Sequence, residues 1–441
     1  MRAILYLREV IKGERVSHYL KILKQSEKLS VNELQKLQLN KLVDFLNYLK
    51  VHNPFYSKYF KDNNLSFDES GIESPYNILQ HFPVTDKAFI KEHFKEWLTY
   101  NLDYSKVAKL YTSGSTGTPF EFYSTTMYND IKIASKSRFL SWHGVRRGEK
   151  QFCYLGMQSH KSIISQAKIY INNKFVLNQR LIDSTKISPE KEVDSLSKRK
   201  PVTIYGYPSA IAEIAEYGIK KNLPFKNDNL KMVIFSGESH TPQMEDLIRR
   251  GFNCEPADEY CSMEGFIAGT CEFNKLHLNE DTLIAEILNE NGEVTELGRG
   301  ELLVTYLYSY DFPFIRYRTG DIVEVSEEKC RCERNFKVLK SVDGRKASYI
   351  YNGHEKIYIG RNFTPAQFIN SIIGFQIIQS DLSCVTVKLM VIDRDQDFSA
   401  FEAYVRRLLD KLMVEFEYVD NLPREKSGKV RVVINSIKKE V

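Results

Sequence analysis

The sequence predicts an α/β protein with a large N-terminal domain of layered sheets and helices and a small α+β domain at the C-terminus. Three observations support this. The chain has 441 residues, which is long for a single domain. Between about residue 60 and residue 320, short β-rich runs alternate with amphipathic helical patterns. Near residues 343–347 the spacing of the apolar residues changes, which indicates a domain boundary.

The first 60 residues have a helical pattern. Apolar residues recur there at helical spacing, namely Leu34, Leu37, Leu39, Leu42, Phe45, Leu46 and Leu49. Asn53 and Pro54 end this region. We therefore expect residues 1–60 to be a helical lead-in to an N-terminal domain that extends over 1–342.

Two segments in the middle of the chain predict parallel strands. Residues 202–206 read as a strand that leads through a turn into a helix around residues 210–214. Residues 232–235 read as a second, buried strand, which ends at Ser236-Gly237-Glu238. In parallel sheets ligands bind at the carboxyl ends of the strands, so we expect a binding site there.

The C-terminal part of the chain predicts a compact unit of its own. Val385, Val387, Leu389 and Val391 alternate as in a strand, apolar residues between 401 and 412 follow helical spacing, and residues 414–419 indicate another strand. We expect a hinge at 343–347 and an α+β domain at 348–441, near the lower end of domain sizes.

Composition excludes several classes of function. Lys plus Arg number 62 against 57 for Asp plus Glu, and no basic block interrupts the mixture, so no nucleic-acid partner is expected. No apolar run approaches the ~18 residues of a transmembrane helix, and the N-terminus is not a signal peptide. The seven scattered cysteines are typical of reduced thiols. We expect a cytoplasmic enzyme.

Residues 111–120 contain the strongest local signal. Glycines and hydroxyl residues are concentrated in one loop: Ser113, Gly114, Ser115, Thr116, Gly117 and Thr118. Glycine permits positive φ, and successive amides and hydroxyls can then surround a polyanion. The flanking residues 109–111 and 120–123 suit strands. We interpret the segment as a phosphate loop between two strands, with an ordinary Ser/Gly hairpin as the alternative.

This loop resembles the phosphate-binding motif of the adenylate-forming superfamily, in its phenylacetate–CoA ligase-like and capsular-polysaccharide (CapK-like) branch. Many members have Lys where this chain has Thr118. Four more segments match superfamily motifs in the expected order, at 258–265, 314–321, 343–345 and 424–431. The resemblance covers roughly residues 50 to 441.

The resemblance assigns roles to the first two of these segments. Tyr260 packs near the adenine, Glu264 holds Mg²⁺ beside the triphosphate, and Glu264 and Thr116 belong to the catalytic set. Asp321 accepts hydrogen bonds from both ribose hydroxyls, a role that suits a carboxylate because it only accepts. Arg316 is assigned to the nucleotide, although either Arg316 or Arg318 can instead brace the loop.

The remaining assignments concern both ends of the C-terminal domain. In the family, Arg345 contacts ribose or phosphate at the hinge, about which the small domain moves. Lys429, which follows Ser427-Gly428, is the catalytic lysine that bridges the substrate carboxylate and the α-phosphate. A mobile cation stabilises the charge that develops there. The loop Ser236-Gly237-Glu238 corresponds to the adenine-contacting loop.

Taken together, the resemblance implies an ATP- and Mg²⁺-dependent ligase. It would activate a carboxylic acid as acyl-AMP, release pyrophosphate, and transfer the acyl group to coenzyme A or to an amine such as an amino sugar, in surface polysaccharide biosynthesis. A non-catalytic nucleotide-binding protein with a degenerate adenylation fold is the alternative.

Four further residues indicate a metal site. Cys271 and His277 lie six residues apart, and Cys330 and Cys332 flank a single residue. Together they can form a tetrahedral structural zinc site that pins the Glu264 segment to the strand before the hinge. The alternative is that the cysteines are free and merely buried.

Overall fold

The computed structural model describes residues 2–67, 74–100, 102–104, 107–112, 120–156, 169–223, 225–345, 349–352, 355–359, 363, 368, 371–425 and 427–437. Its α-helices are Arg2–Lys12, Val16–Ser26, Val31–His52, Pro54–Asp62, Pro75–Leu79, Lys87–Glu92, Phe94–Trp97, Thr126–Trp142, Pro189–Arg199, Pro208–Lys220, Pro242–Phe252 and Ser399–Leu408. A π-helix spans Asn172–Leu177 and a 3-10 helix Ser184–Lys186. Across these ranges, none of the helices is long and apolar enough to cross a lipid bilayer.

The strands are β1 (Val107–Thr112), β2 (Phe120–Thr125), β3 (Gln151–Leu155), β4 (Gln179–Asp183), β5 (Thr203–Gly206), β6 (Met232–Ser236), β7 (Pro256–Cys261), β8 (Phe266–Thr270), β9 (Leu276–Leu278), β10 (Leu283–Leu288), β11 (Val294–Thr295), β12 (Gly298–Tyr306), β13 (Tyr317–Ser326), β14 (Val338–Arg345), β15 (Tyr349–Asn352), β16 (Glu355–Tyr358), β17 (Ile372–Gln379), β18 (Cys384–Val391), β19 (Met413–Tyr418) and β20 (Val433–Asn435).

The chain divides into two compact units. The first unit combines residues 144–259 with 343–441, and the second unit combines residues 2–143 with 260–342. One of the crossings between the units falls between residues 342 and 343, where the sequence predicts the start of the hinge. The predicted domain boundaries themselves, 1–342 and 348–441, stay a prediction.

In the second unit, helices cover a mainly antiparallel sheet. The strand order is β11-β10-β12-β13-β14-β9-β8, and β1 and β2 form a separate antiparallel hairpin. The N-terminal helices pack against this sheet through Leu42, Phe45 and Leu49, all fully buried. Ser30 and Glu33 form a capping box that fixes the start of the longest helix. The region in which the sequence predicts a helical lead-in thus contains four helices, between Arg2 and Asp62.

The first unit contains the predicted parallel sheet. Strands β7, β6, β5, β3 and β4 lie in that order, and each neighbouring pair is parallel. The predicted strand at 232–235 is β6, and each of its residues is buried. At the end of β5, Gly206 has φ +145° and lies against the Tyr154 carbonyl, which leaves no room for a side chain.

In the described part of its C-terminal stretch, the first unit contains a four-stranded sheet that packs against the helix Ser399–Leu408. The strand order is β19-β18-β17-β20, and the helix Ser399–Leu408 covers one face with Phe401 and Val405. The sequence-predicted helix was too long, since Leu412 lies beyond it, although that side chain is buried. The predicted α/β fold class, with an α+β C-terminal part, is confirmed.

Candidate functional site

The phosphate loop is described only at its flanks. Strands β1 and β2 pair in register, with Thr112 opposite Phe120, so the intervening seven residues connect the two ends of one hairpin. The two predicted flanking strands are thus present. The predicted phosphate-binding residues lie outside the described residues; they are Ser113, Gly114, Ser115, Thr116, Gly117 and Thr118.

Glu264 lies in the second unit, between β7 and β8, and is only 3% exposed. Its carboxylate accepts a hydrogen bond from the Tyr317 hydroxyl at 3.0 Å, and its backbone carbonyl accepts one from the Tyr128 hydroxyl at 2.5 Å. The Nζ of Lys87 lies 3.9 Å from the same carboxylate. Tyr317 therefore holds the buried carboxylate, Tyr128 holds the backbone of the same residue, and the carboxylate faces a cation.

A second lysine lies beside this carboxylate. Lys132 Nζ donates a hydrogen bond to the backbone carbonyl of Met263 at 3.3 Å. Burial lowers the pKa of Lys132 to about 8, although the nearby charge of Glu264 acts in the opposite direction. Burial also raises the pKa of Tyr128 well above its ordinary value. The surroundings of Glu264 are thus shielded from water, which strengthens electrostatic interactions.

Tyr260 and Asp321, assigned by the resemblance to the same nucleotide, touch each other in the second unit. The Tyr260 hydroxyl donates to the Asp321 carboxylate at 2.7 Å, although the two residues are 61 positions apart. Burial, followed by the charge of Asp321, raises the pKa of Tyr260 well above its ordinary value. The two motifs therefore meet through a direct hydrogen bond.

A β-bulge in strand β13 determines the direction in which Asp321 leaves the strand. In the pairing of β12 with β13, Glu301 lies opposite Ile322 and Leu303 opposite Arg318, so three residues of β13 face one residue of β12. Gly320 takes φ +77° within this bulge. Bulges bend a strand and redirect its side chains. The Thr-Gly-Asp sequence is thus the means by which the strand turns Asp321 out of the regular alternation.

The structure places Arg316 in the core of the second unit. Its guanidinium pairs with Glu286 through Nε and Nη2, at 3.1 and 3.0 Å, and also donates to the Phe82 carbonyl at 2.9 Å. Arg316 directly precedes β13 and has φ +46°. A buried guanidinium needs such partners, and this arrangement favours the bracing role for Arg316. Arg318 pairs with Glu301 at 2.5 Å.

In the first unit, Glu238 is occupied by contacts within the protein. Its carboxylate accepts the Ser209 hydroxyl at 2.7 Å and the Val430 amide at 2.6 Å. Burial raises the pKa of Glu238, and these hydrogen bonds oppose the rise. The resemblance assigns Glu238 to the adenine loop. In the structure, its carboxylate holds the segment that carries Lys429 through the Val430 amide. Ser236 lies just before it, at the buried end of β6.

Lys429 lies over the loop that follows β6. Its Nζ is 5.8 Å from the centroid of the Tyr207 ring. Gly237 has φ +78°, and a Cβ there would lie 3.2 Å from the Tyr207 ring and 3.4 Å from the Lys429 Nζ. The predicted catalytic lysine and the predicted adenine loop are therefore neighbours in the first unit.

The segment 424–430 docks through its backbone. Arg424 and Val430 form a β-bridge, and the Glu425 amide donates to the Lys429 carbonyl at 2.8 Å, which makes a tight turn. The Tyr207 hydroxyl donates to the Ser427 carbonyl at 3.2 Å. Gly156 lies so close to that same carbonyl that a Cβ on it would collide. The backbone of the segment that carries Lys429 therefore lies directly against the backbone of Gly156.

Arg345 ends β14, and its side chain lies outside the described part of the structure. Its predicted nucleotide contact therefore stays a prediction.

Sequence reasoning missed the residues that hold the assigned ones. Lys87, Tyr128 and Tyr317 surround Glu264, and they come from segments far apart in the chain. Arg424, at the start of the lysine motif, donates to Ser209 at 2.6 Å. Of these residues, Tyr317 lies inside the motif 314–321, where it stands between two arginines. That position was the sequence signal from which it could have been found. The other contacts arise from tertiary packing alone.

Cys271, His277, Cys330 and Cys332 converge in the second unit. Their ligand atoms all lie within 4.8 Å of one another. The predicted proximity of these four residues is therefore present in the fold.

Comparison with known proteins agrees with this geometry. The model of the CapK C-terminal domain matches residues 350–436. Protein CapK of Staphylococcus aureus is 28% identical over 97% of this chain and 94% of its own length. The chain is thus similar to CapK along nearly its whole length. A phenylacetate-coenzyme A ligase of Thermus thermophilus is 23% identical over 72% of both chains. The predicted resemblance to the adenylate-forming superfamily, in its CapK-like branch, is confirmed.

Solved structures with the same fold include ligases of the superfamily. The crystal structure of 2-hydroxyisobutyryl-CoA ligase in the postadenylation state superposes with a TM-score of 0.70 at 20% identity, over 94% of this chain and 92% of that chain. The amide bond synthetase McbA of Marinactinospora thermotolerans superposes with a TM-score of 0.51 at 15% identity, over 75% and 69% of the two chains. These similarities show the fold.

Proposed function

We propose that the protein is an ATP-dependent acid ligase that forms an acyl-AMP and passes the acyl group to a thiol or an amine. The hydrogen bond between Tyr260 and Asp321, 2.7 Å long, carries this proposal. The resemblance assigns these two residues to adenine and ribose of one nucleotide, and the fold of the second unit brings them into contact. A nucleotide site built by two motifs requires such proximity.

In the proposed reaction, a carboxylate oxygen of the acid attacks the α-phosphorus of ATP. The bond between the α-phosphorus and the bridging oxygen breaks, and pyrophosphate leaves. A thiol or amine then attacks the acyl carbon, AMP leaves, and the acceptor loses a proton. Lys429 stabilises the negative charge that develops during the first step, because a positioned cation in a shielded site lowers that barrier.

Glu264 fits the predicted Mg²⁺ site. Its buried carboxylate offers the hard oxygen ligand that Mg²⁺ prefers, and Mg²⁺ is often bound by one or two carboxylates together with substrate phosphates. When bound, the ion would neutralise charge on the triphosphate. Tyr317 fixes the carboxylate, Tyr128 fixes the backbone of Glu264, and Lys87, 3.9 Å from the carboxylate, adds positive charge near the phosphates.

Two groups of relatives bear on the acceptor. A phenylacetate-coenzyme A ligase is homologous to the chain, and an amide bond synthetase shares its fold. We include coenzyme A and amines, among them amino sugars of surface polysaccharides, as acceptors in the proposal.

The deciding experiment measures pyrophosphate release with Mg²⁺–ATP over a panel of aryl, fatty, amino and hydroxy acids, with no acceptor present. We expect release with at least one acid, and no release with ATP alone. Acyl transfer is then measured by adding coenzyme A or a set of amino sugars to the responding acid. If no acid in the panel causes pyrophosphate release, and calorimetry shows that the protein still binds AMP, the result would support the non-catalytic alternative.

A further inference from the structure

Four side chains that prefer zinc meet at one point of the second unit. The sulfur atoms of Cys271, Cys330 and Cys332 and a ring nitrogen of His277 lie within 4.8 Å of one another. Three thiols and one imidazole form a donor set typical of structural zinc. We propose that this cysteine–histidine cluster binds one structural zinc ion.

The distances within the cluster fit tetrahedral coordination. The Sγ atoms of Cys271 and Cys330 are 3.6 Å apart, and the Sγ of Cys332 is 3.2 Å from the Nε2 of His277. With Zn–S bonds of about 2.3 Å, two sulfurs of one tetrahedral site lie about 3.7 Å apart. A disulfide requires a sulfur–sulfur distance of about 2.05 Å. The spacing therefore corresponds to shared coordination.

His277 is oriented as a ligand. Its Nδ1 lies 3.0 Å from the backbone carbonyl of Phe336, and a carbonyl only accepts, so Nδ1 carries the proton. The lone pair is consequently on Nε2, the nitrogen that faces Cys332. Metal-binding histidines are commonly fixed by this kind of second hydrogen bond. The side chain is also almost fully buried, at 1% exposure.

The two loops that carry the cysteines are shaped alike. The Asn274 amide donates to the Cys271 carbonyl and the Glu333 amide donates to the Cys330 carbonyl, at 2.9 and 3.2 Å. Asn274 and Glu333 have φ of +59° and +61°. The Phe273 amide also donates to the Cys271 sulfur at 3.4 Å. An amide that points at a sulfur stabilises the thiolate form, which is the form that binds metal.

The segment 327–337 needs such a crosslink. Between β13 and β14 it contains one large apolar residue, Phe336, among seven charged ones. A segment of this composition buries too little apolar surface to order itself. Zinc bound by four protein ligands supplies that order and leaves no open position, so its role is structural.

The crosslink would connect the two strands that carry the proposed nucleotide site. Strand β8 joins the Glu264 turn to Cys271, and β13 leads from Tyr317 and Asp321 toward Cys330. The inference does not rest on the proposed function, since a structural zinc ion is required equally in an active ligase and in a non-catalytic protein.

The test measures zinc in the full chain, purified without chelators and dialysed against metal-free buffer, by inductively coupled plasma mass spectrometry. We expect one zinc per chain. Cys332→Ser is expected to lose it, whereas the matched control Cys384→Ser, in the first unit, keeps it. Extraction of the metal by a chelator is expected to lower Tm, and added zinc to restore it.

A second measurement covers the case in which Cys332→Ser fails to fold. Wild-type protein is stripped of metal and titrated with Co²⁺, for which we expect a sulfur-to-cobalt charge-transfer band and the d–d absorption of a tetrahedral site with one ion bound. The proposal is overturned if the zinc-supplemented native protein contains no metal and gives no tetrahedral cobalt spectrum. A Cys271–Cys330 disulfide found by mass spectrometry in such protein would overturn it as well.

Discussion

The Nζ of Lys429 lies 5.8 Å from the centroid of the Tyr207 ring. The ring belongs to the turn after β5, and the lysine comes from a segment more than 200 positions later. The pair therefore joins the C-terminal motif to the edge where the parallel strands of the first unit end. A cation at this edge is placed where open α/β sheets bind their ligands.

Replacement of this lysine tests its chemical role. Lys429→Ala is expected to lower carboxylate-dependent pyrophosphate release by about 100-fold or more, because loss of one charge-stabilising group typically has that effect. AMP affinity should change little. The matched control Lys411→Ala, an exposed lysine in the same C-terminal stretch, should keep full activity. Unchanged release in Lys429→Ala would remove this residue from the mechanism.

The close fit around Gly237 gives a second prediction. In Gly237→Ala, positive φ costs about 1 kcal/mol, and the new methyl group presses on Tyr207 and Lys429 at 3.2 and 3.4 Å. Gly292→Ala is the matched control, since Gly292 has φ +82° with open space around it. Both variants should lose similar stability in urea, but only Gly237→Ala should also lose pyrophosphate release. Equal activity in the two would show that the contact has no function.

A double-mutant cycle tests the hydrogen bond between Tyr260 and Asp321. We expect Asp321→Asn to weaken AMP binding by about 10- to 100-fold, because hydrogen bonds to a charged group contribute about 1.5–3 kcal/mol. Tyr260→Phe should have a smaller effect. In urea unfolding, the two changes together should show a coupling energy of about 1 kcal/mol. Strict additivity would indicate that the pair is not coupled.

The lowered pKa of Lys132 predicts a pH dependence of stability. Its folded-state pKa of about 8 lies below the unfolded value of 10.5. Between these values the unfolded state binds more protons, so the free energy of unfolding contributed by this group rises with pH. Relative to Lys132→Met, the wild-type protein should gain about 1–2 kcal/mol between pH 7 and pH 9.5 in urea titrations. A constant difference between the two proteins would contradict the shift.

Local patterns in the sequence predicted most of the fold. The apolar spacing of residues 34–49 and the apolar run of β6 reflect periodicities that the backbone itself imposes, so they are readable without a structure. The motifs likewise singled out Glu264, Asp321 and Lys429 as candidate site residues, and those assignments stay predictions. The helix of the C-terminal part was predicted too long because Leu412 is buried by tertiary packing after the helix has ended.

The contacts of the assigned residues were not predictable in this way. Glu238 accepts the amide of Val430, which is 192 positions away, and such pairing depends on how distant segments pack. Arg316 carries the positive charge that a phosphate-binding side chain needs. Its guanidinium is nevertheless paired with the buried carboxylate of Glu286. A residue type defines which bonds a side chain is able to form, and the fold selects among them.

The contact between Gly156 and the Ser427 carbonyl has a consequence for release of the lysine segment. Ser427 and Arg424 are held by hydrogen bonds from Tyr207 and to Ser209, and Arg424 also forms an ion pair with Glu213, at 3.2 Å. Water replaces bonds of this kind at a small net cost. Moving the lysine segment away from these partners therefore exposes little apolar surface to water. The attachment can open and close again without exposing a face that favours aggregation.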